Sequence, residues 1–200
     1  MKNTILLSVA LASASCGVHA QDLGYTYLEG GYARVNVDID GVGDADFDGV
    51  QLRGSAQIGV SDFYVFGGLG IARNDDAGVD VDFSELQGGV GYRYEIGSSV
   101  DLISELSVLR QMIDADGVAG ADASGGRIAV GARVAMADNV EGYAKLGYTG
   151  GGDFDGSFNA TIGAQYRWSD SWGVVGELER SRIDAGVDVI RLLIGVRATF

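Results

Sequence analysis

The sequence predicts an all-β protein, a transmembrane antiparallel up-and-down β-barrel of ten strands, with eight strands as the alternative. Apolar and polar residues alternate at period two along most of the chain, so each strand would present one apolar and one polar face. The alternating segments are roughly ten to fourteen residues long, near the length that a tilted strand needs to cross a bilayer. Proline is absent, as expected of a closed sheet in which it would remove ladder hydrogen bonds.

The last segment, residues 188–200, shows the alternation most clearly. Its apolar face consists of Ile190, Leu192, Ile194, Val196, Ala198 and Phe200. Its other face carries Arg191, Gly195, Arg197 and Thr199, with Leu193 as the apolar exception. A closing strand that ends on an aromatic residue is typical of outer-membrane barrels, whose assembly machinery recognises that residue. We therefore interpret Phe200 as an assembly signal.

Nine further segments precede the closing strand. The first spans residues 24–37, and its sequence leaves open which face is apolar. Clear alternation then follows in residues 51–60, 86–96, 127–136, 158–168 and 172–179. Residues 63–73, 100–112 and 140–149 alternate in a similar way. Alternation alone would also suit a soluble β-sandwich, so the connections between the segments have to decide between the two folds.

The connections alternate in length, as those of outer-membrane barrels do. Tight turns are expected at 61–62, 97–99, 138–139 and 169–171. Longer loops rich in glycine and aspartate are expected at 38–48, 74–84, 114–124, 150–156 and 183–187. In such barrels the short turns and both termini lie in the periplasm, and the long loops are extracellular. Four short turns and five long loops join ten strands.

Aromatic residues cluster beside the short turns and the termini. The cluster comprises Tyr25, Tyr27, Phe63, Tyr64, Tyr92, Tyr94, Trp168, Trp172 and Phe200. Aromatic side chains favour the boundary between lipid and water, so we expect these residues to form the interfacial girdle of one leaflet. A soluble sandwich gives no reason for this clustering, which therefore favours the barrel.

Residues 1–20 are predicted to be a cleaved signal peptide, and residues 21–200 the barrel domain. A basic start, an apolar stretch at 5–12 and small residues before the bond between Ala20 and Gln21 support this division. No later segment has the 18 or more consecutive apolar residues of a spanning helix, so a membrane location requires a closed barrel.

An alternative interprets residues 13–16 as a lipobox that would leave Cys16 lipidated, although Ser13 is a poor match to such a motif. Cleavage after Ala20 removes the one cysteine and the one histidine of the chain. The mature protein would then have no disulfide, no zinc site of the His/Cys type and no histidine-based catalysis.

The formal net charge is −14, and its excess is expected in the long loops. Sixteen aspartates with almost no basic partners are assigned there: Asp38, Asp40, Asp44, Asp46, Asp48, Asp75, Asp76, Asp80, Asp82, Asp114, Asp116, Asp122, Asp153, Asp155, Asp184 and Asp188. Such charge runs usually stay solvated. The alternative is a divalent-cation contact at Asp44, Asp46 and Asp48, which match the first half of a calcium loop, although Ser55 replaces the acid expected at its twelfth position.

Three stretches, 25–32 (YTYLEGGY), 64–68 (YVFGG) and 140–148 (VEGYAKLGY), together with the closing strand, carry a family resemblance. The chain from Gln21 to Phe200 resembles the small outer-membrane protein β-barrel family, the porin-like group that includes opacity-type and outer-membrane-protein-A-type barrels. It is most similar to a branch from xanthomonad-type bacteria, once proposed as quorum and plant-immunity factors. The resemblance implies the fold and the location, and it brings no catalytic residues.

We therefore expect a non-enzymatic, structural and surface-exposed protein of a Gram-negative outer membrane, with a narrow porin-like channel for ions or small solutes as the alternative. Glu177 and Glu179 share an inward face, but acids opposite lumenal arginines more often form a structural ion network than a catalytic pair. The expected partners are outer-membrane lipid and lipopolysaccharide, the barrel-assembly machinery through the closing strand, and divalent cations. No cofactor and no nucleic-acid partner are expected.

Overall fold

The computed structural model describes residues 23–41, 43–74, 81–115, 118–183 and 186–200. These residues form ten strands: β1 (Tyr27–Ile39), β2 (Gly43–Gln57), β3 (Phe63–Asn74), β4 (Val81–Gly97), β5 (Val100–Ala115), β6 (Val118–Ala137), β7 (Val140–Gly151), β8 (Phe154–Arg167), β9 (Trp172–Ile183) and β10 (Val187–Thr199). Consecutive strands pair antiparallel, and β1 also pairs with β10, which closes the barrel. The fold class and the ten strands are confirmed, and the eight-strand alternative is wrong.

Successive side chains of each strand point alternately out of and into the barrel. In β10 the outward Ile194 is 53% exposed and the inward Leu193 is 1% exposed, as its alternation predicted. The open phase of the first strand is also resolved, because Leu28 and Tyr32 of β1 are exposed whereas Glu29 is buried. No helix among the described segments is long and apolar enough to cross a membrane.

The barrel has two different ends. The terminal end carries the segment before β1, Phe200 and the short turns at 58–62, 98–99, 138–139 and 168–171. These turns contain or overlap the predicted tight turns. The opposite end, where the other five hairpins lie, is called the acidic end because most aspartates gather there.

An uncharged band encircles the barrel between its two ends. Each strand begins at the terminal end with a run of uncharged outward side chains. In β1 the run ends at Arg34 and in β5 at Arg110. Apolar residues dominate these positions, and Leu52, Val65 and Ile162 are among the exposed ones. This is the surface that a barrel needs against the hydrocarbon of a bilayer.

The long loops expected at the acidic end are wrong in extent. β1 continues to Ile39 and β2 begins at Gly43, so residues 38–48 are mostly a β-hairpin. The other four expected loops are shortened in the same way, because the flanking strands extend into them. A backbone ladder needs no apolar side chain, so pairing continues beyond the uncharged band, for example between Arg34 and Asp48.

The aromatic girdle contains fewer residues than expected. Phe63, Tyr92, Tyr94, Trp168, Trp172 and Phe200 are exposed near the terminal end. Tyr25 and Tyr64 are instead buried inside the barrel, with ring centroids 4.9 Å apart. Tyr27 also points inward, and the Arg197 guanidinium lies 4.0 Å from its ring centroid. The girdle and the lumen mouth lie at the same height along the barrel axis. Closeness to a short turn in the sequence therefore could not show whether an aromatic side chain points outward or inward.

The predicted signal peptide, its cleavage site between Ala20 and Gln21, and the alternative lipobox lie outside the described residues. So do five of the sixteen aspartates, Asp75, Asp76, Asp80, Asp116 and Asp184. These assignments therefore stay predictions.

Candidate functional site in the barrel lumen

Inward-facing acids and bases join across the barrel interior. Arg53 on β2 donates to Glu29 on β1 and, at 2.6 Å, to Glu177 on β9. Glu29 also accepts a hydrogen bond from Arg197 on β10 at 2.8 Å and is 1% exposed. Two guanidinium groups thus bind one buried carboxylate, and the pair of arginines balances the charges of Glu29 and Glu177. Because β1 and β10 lie between β2 and β9, the bond from Arg53 to Glu177 reaches across part of the lumen.

A second set of contacts crosses the lumen beside the first. Lys145 on β7 and Tyr64 on β3 both donate to Glu105 on β5, at 3.1 and 3.0 Å. Tyr143 on β7 donates to Glu177 at 2.5 Å. Each of these bonds joins strands that are not neighbours in the wall. The contacts therefore fill the interior rather than line it.

The segment before β1 fills the mouth of the lumen at the terminal end. Its two apolar side chains join a buried cluster made of Leu23, Tyr25, Tyr64, Ile103 and Ala135. The Tyr25 hydroxyl donates to Asp101 at 2.9 Å, and the Arg133 guanidinium lies 4.2 Å from the centroid of the Tyr25 ring. Arg133 is itself paired with Glu141 at 2.5 Å. This mouth is closed by packed side chains.

Two further ion pairs lie toward the acidic end. Arg191 on β10 donates two hydrogen bonds to Glu85 on β4, at 2.9 and 3.1 Å. Arg127 on β6 lies 3.5 Å from Glu179 on β9. We call the whole set, from the buried mouth to these two pairs, the lumen plug. Two cavities among its residues have volumes of about 90 and 50 Å³.

The arrangement of the lumen plug suits a structural role. Glu177 and Glu179 both lie on the inward face of β9, and each has a basic partner. A carboxylate held by a guanidinium and by further hydrogen bonds is stabilised in its charged form, which makes it a poor proton donor. These carboxylates are therefore arranged as parts of an ion network, which is the arrangement that the sequence indicated.

A larger cavity lies between the lumen plug and the acidic end. Its volume is about 440 Å³, and Arg127, Glu179 and Arg191 of the plug contribute to its wall. We call it the apolar cavity because most of its lining is apolar: Val35, Val37, Ile39, Ala45, Phe47, Phe83, Leu109, Ile113, Phe154, Val187 and Val189.

Sequence reasoning missed the apolar cavity by assigning several of its residues to loops. The signal was present, because the positions that alternate with outward aspartates are apolar. Val37 precedes Asp38, and Phe47 lies between Asp46 and Asp48. Alternation between aspartate and an apolar residue also predicts a strand, with the polar face outward.

Five outward arginines at the acidic end are paired with aspartates. The closest N–O distances are 2.6 Å for Arg34–Asp46, 2.7 Å for Arg73–Asp82, 2.9 Å for Arg110–Asp122, 3.0 Å for Arg180–Asp188 and 3.2 Å for Arg182–Asp188. We call these five arginines the arginine belt. The expectation that the aspartates have almost no basic partners is therefore wrong for Asp46, Asp82, Asp122 and Asp188. The sequence concealed these pairs because each partner lies on a neighbouring strand.

One aspartate of the acidic end is held by hydrogen bonds instead. Asp153 lies in the turn between β7 and β8, and it accepts hydrogen bonds from the Ser124 backbone N–H at 2.9 Å and the Ser124 hydroxyl at 3.0 Å. These bonds favour the charged form and hold the pKa of the Asp153 carboxyl below its usual range. They also fasten this turn to β6.

Asp44, Asp46 and Asp48, the residues of the predicted cation contact, lie at alternate positions of β2. Asp46 is bound by Arg34, and Asp48 accepts a hydrogen bond from the Tyr32 hydroxyl. Within the described part of the chain, no group of three or more Asp, Glu, His or Cys side chains is arranged to hold a metal ion. The cation contact stays a prediction.

Phe200 follows β10 at the terminal end. Its backbone N–H donates to the Thr26 carbonyl at 3.0 Å, and its ring is 82% exposed. The ring is thus free to be recognised, while its assembly role stays a prediction.

Comparison with known families identifies the barrel. The family model described as outer membrane protein beta-barrel domain matches residues 55–200. The chain belongs to this family. Membership explains the uncharged band and places the protein in the outer membrane. A comparison with curated protein sequences finds no match.

Solved structures similar to this chain include two autotransporter domains and one attachment invasion locus protein. The β domain of the Bordetella autotransporter BrkA is 14% identical, with 88% of this chain and 100% of that chain covered and a TM-score of 0.58. The translocator domain of the autotransporter NalP from Neisseria meningitidis is 11% identical, with coverages of 90% and 91% and a TM-score of 0.53. The attachment invasion locus protein Ail of Yersinia pestis is 17% identical, with coverages of 88% and 99% and a TM-score of 0.47. At these identities the two autotransporter domains show the fold alone.

Proposed function

We propose that this protein is a non-enzymatic structural barrel of a Gram-negative outer membrane, closed to ions and exposed at the cell surface through its acidic end. The observation that carries the proposal is the lumen plug. Arg53, Glu29 and Glu177 join β1, β2 and β9, and the buried Tyr25 closes the terminal mouth. A ten-stranded barrel lies near the size at which side chains fill the interior, which agrees with a closed lumen.

A non-enzymatic role is supported by the chemistry of the interior. The described lumenal carboxylates of the plug are engaged by arginine, lysine or tyrosine, as for Glu105 with Lys145 and Glu85 with Arg191. If the predicted signal peptide is removed, the chain also lacks histidine, the side chain that most often serves as a general base.

The surface role rests on the two boundaries of the uncharged band. At the terminal end the band stops at exposed aromatic residues such as Tyr94 and Trp168, and at the acidic end it stops at the arginine belt. Guanidinium groups suit the phosphates of lipopolysaccharide, which occupies the outer leaflet. We therefore place the acidic end outside the cell and both termini in the periplasm. A relationship to the xanthomonad-type branch belongs to the same proposal.

The orientation can be tested with single cysteines and a membrane-impermeant maleimide. Asp40→Cys at the acidic end should be labelled in intact cells, whereas Ser98→Cys in a terminal-end turn should react only after the outer membrane is permeabilised. Both positions are exposed, so accessibility within the protein is matched. Labelling of Ser98→Cys in intact cells, with Asp40→Cys protected, would reverse the proposed orientation.

Planar-bilayer conductance separates a closed barrel from the narrow channel that remains the alternative. We expect no steady conductance steps from the wild-type protein. A quadruple variant of the lumen plug should open a water-filled path and give such steps. It combines Glu29→Ala, Arg53→Ala, Glu177→Ala and Arg197→Ala. The control combines Arg34→Ala, Asp46→Ala, Arg180→Ala and Asp188→Ala, which remove the same numbers of acids and bases from the outer surface, and it should stay silent. Stable steps from the wild type would favour the channel.

A further inference from the structure

The inner wall of the barrel changes character along its axis. Lumens of membrane β-barrels are generally polar, as the plug half of this one is. In the acidic half the inward positions carry apolar side chains, among them Val37, Phe47, Phe83, Leu109 and Val189. These residues come from β1, β2, β4, β5 and β10, so the apolar wall surrounds the lumen from several sides. A lumen that only had to hold water would need no such wall.

The apolar residues of this wall leave a cavity between them, whereas those of a protein core are close-packed. Protein interiors are close-packed and leave few voids larger than a water molecule. Here Phe47 and Phe83 contact each other, with ring centroids 6.5 Å apart, yet a cavity of about 440 Å³ remains between the walls. That volume lies within the usual range for small-molecule sites, roughly 300–1,000 Å³. Cavities with apolar walls tend to exclude water and accept apolar molecules.

The charged residues in the lining of the apolar cavity determine which charge a ligand can carry. On the plug side, Arg127 and Arg191 are each paired with a glutamate, Glu179 and Glu85, so this wall carries balanced charge. The other charged residues that line the cavity are Asp44 and Asp155. The charge that is not balanced within the lining is therefore negative, and it should attract a cation and repel an anion.

We propose that the apolar cavity is a binding site for a small hydrophobic amine, a molecule with an aromatic or alkyl body and one protonated amino group. The body lies against Phe47, Phe83 and Leu109, and the ammonium group lies toward Asp44 and Asp155. The lumen plug below the cavity prevents passage through the barrel. The site therefore retains its ligand at the acidic end and does not conduct it.

The binding test uses the wild-type protein, methyl-labelled at valine, leucine and isoleucine, in lipid nanodiscs. 1-Naphthylmethylamine is the cationic probe and naphthalene-1-sulfonate the anionic one. We expect saturable NMR shifts of the inward methyl groups of Val37, Leu109 and Val189 with the amine. The outward methyl groups of Val108 and Ile190 should shift without saturation, because they sense only probe dissolved in lipid. The amine should bind at least tenfold more tightly than the sulfonate at low salt.

Two sets of variants locate the site. Val189→Trp fills the cavity and should abolish the saturable shifts, whereas the matched Ile190→Trp faces lipid and should leave them intact. Val37→Trp is the second filling variant if Val189→Trp does not fold. Asp44→Asn with Asp155→Asn should reduce the preference for the amine to less than threefold.

Three results would overturn the proposal. The first is a wild-type titration in which inward and outward methyl groups shift alike. The second is saturable binding of the amine that is retained in every folded variant whose cavity is filled by tryptophan. The third is a sulfonate that binds as tightly as the amine.

Discussion

Buried charges in this barrel are stable because none of the central carboxylates faces the lumen alone. Glu29 accepts hydrogen bonds from Arg53 and Arg197, and Glu177 from Arg53 and Tyr143. Removing a charge from water costs several kcal/mol, and only well-placed partners offset that cost. Arg53 is the residue that two of these carboxylates share.

Replacing Arg53 should therefore destabilise the barrel strongly. Arg53→Met leaves two buried carboxylates with fewer partners, and we expect the free energy of unfolding to fall by about 3–5 kcal/mol. Arg180→Met, which breaks an exposed pair with Asp188, should cost only about 0–1 kcal/mol. Urea titrations in lipid vesicles measure both. Adding Glu177→Gln to Arg53→Met should restore part of the loss, and equal losses for the two single variants would contradict this account.

At the scale of the strand, the closing seam between β1 and β10 depends on small residues. Gly195 pairs with Gly31 in the ladder. A Cβ atom at Gly195 would lie 2.8 Å from the Gly30 carbonyl oxygen, which is closer than side-chain carbons approach such atoms. The seam joins the first and last strands, so its packing affects closure of the whole barrel.

Neighbouring positions of β10 should respond differently to substitution. Ile194→Arg places a charge in the uncharged band and should cost roughly 2–4 kcal/mol near its middle. Gly195→Ala crowds the seam and should cost about 1–3 kcal/mol. Gly176→Ala on β9 is the control, because a Cβ atom there meets nothing within 4 Å. An Ile194→Arg variant that is as stable as Gly176→Ala in unfolding titrations would mean that the assigned faces are wrong.

The β1–β2 hairpin provides the test of the predicted cation contact. Arg34 already binds Asp46, so we expect calcium to act mainly by diffuse screening, as sodium does at equal ionic strength. Protection of residues 38–48 from protease should then be nearly the same in the two salts. Large protection by calcium alone, abolished by Asp44→Asn, Asp46→Asn and Asp48→Asn together, would instead establish a cation site.

For the whole molecule, closure of the sheet is the property that matters most. Ten consecutive pairings, including β1 with β10, leave no exposed strand edge among the described strands. A closed ladder has all its neighbours within the chain and opens only when many hydrogen bonds break together. The folded protein should therefore migrate differently in detergent gels before and after boiling.

Phe200 should matter for assembly more than for the folded state, because its ring is exposed. Phe200→Ser should lower the amount of the boiling-sensitive form in outer membranes. Refolding of the purified variant in detergent should change little. Tyr94→Ser, another exposed aromatic near the terminal end, is the control and should assemble normally. Normal assembly of Phe200→Ser in cells would contradict the signal role.

The sequence by itself determined the strands, their number and, except in the first strand, their inner and outer faces. Alternation at period two is a local property, and the lipid outside imposes it on every strand, as from Ile190 to Phe200. Tertiary structure alone decided how far the strands extend, which tyrosines enter the lumen, and which charges meet. The pair of Arg53 with Glu177 joins residues 124 positions apart, and the apolar cavity combines residues from most strands. Such contacts depend on closure and register, which no local pattern encodes.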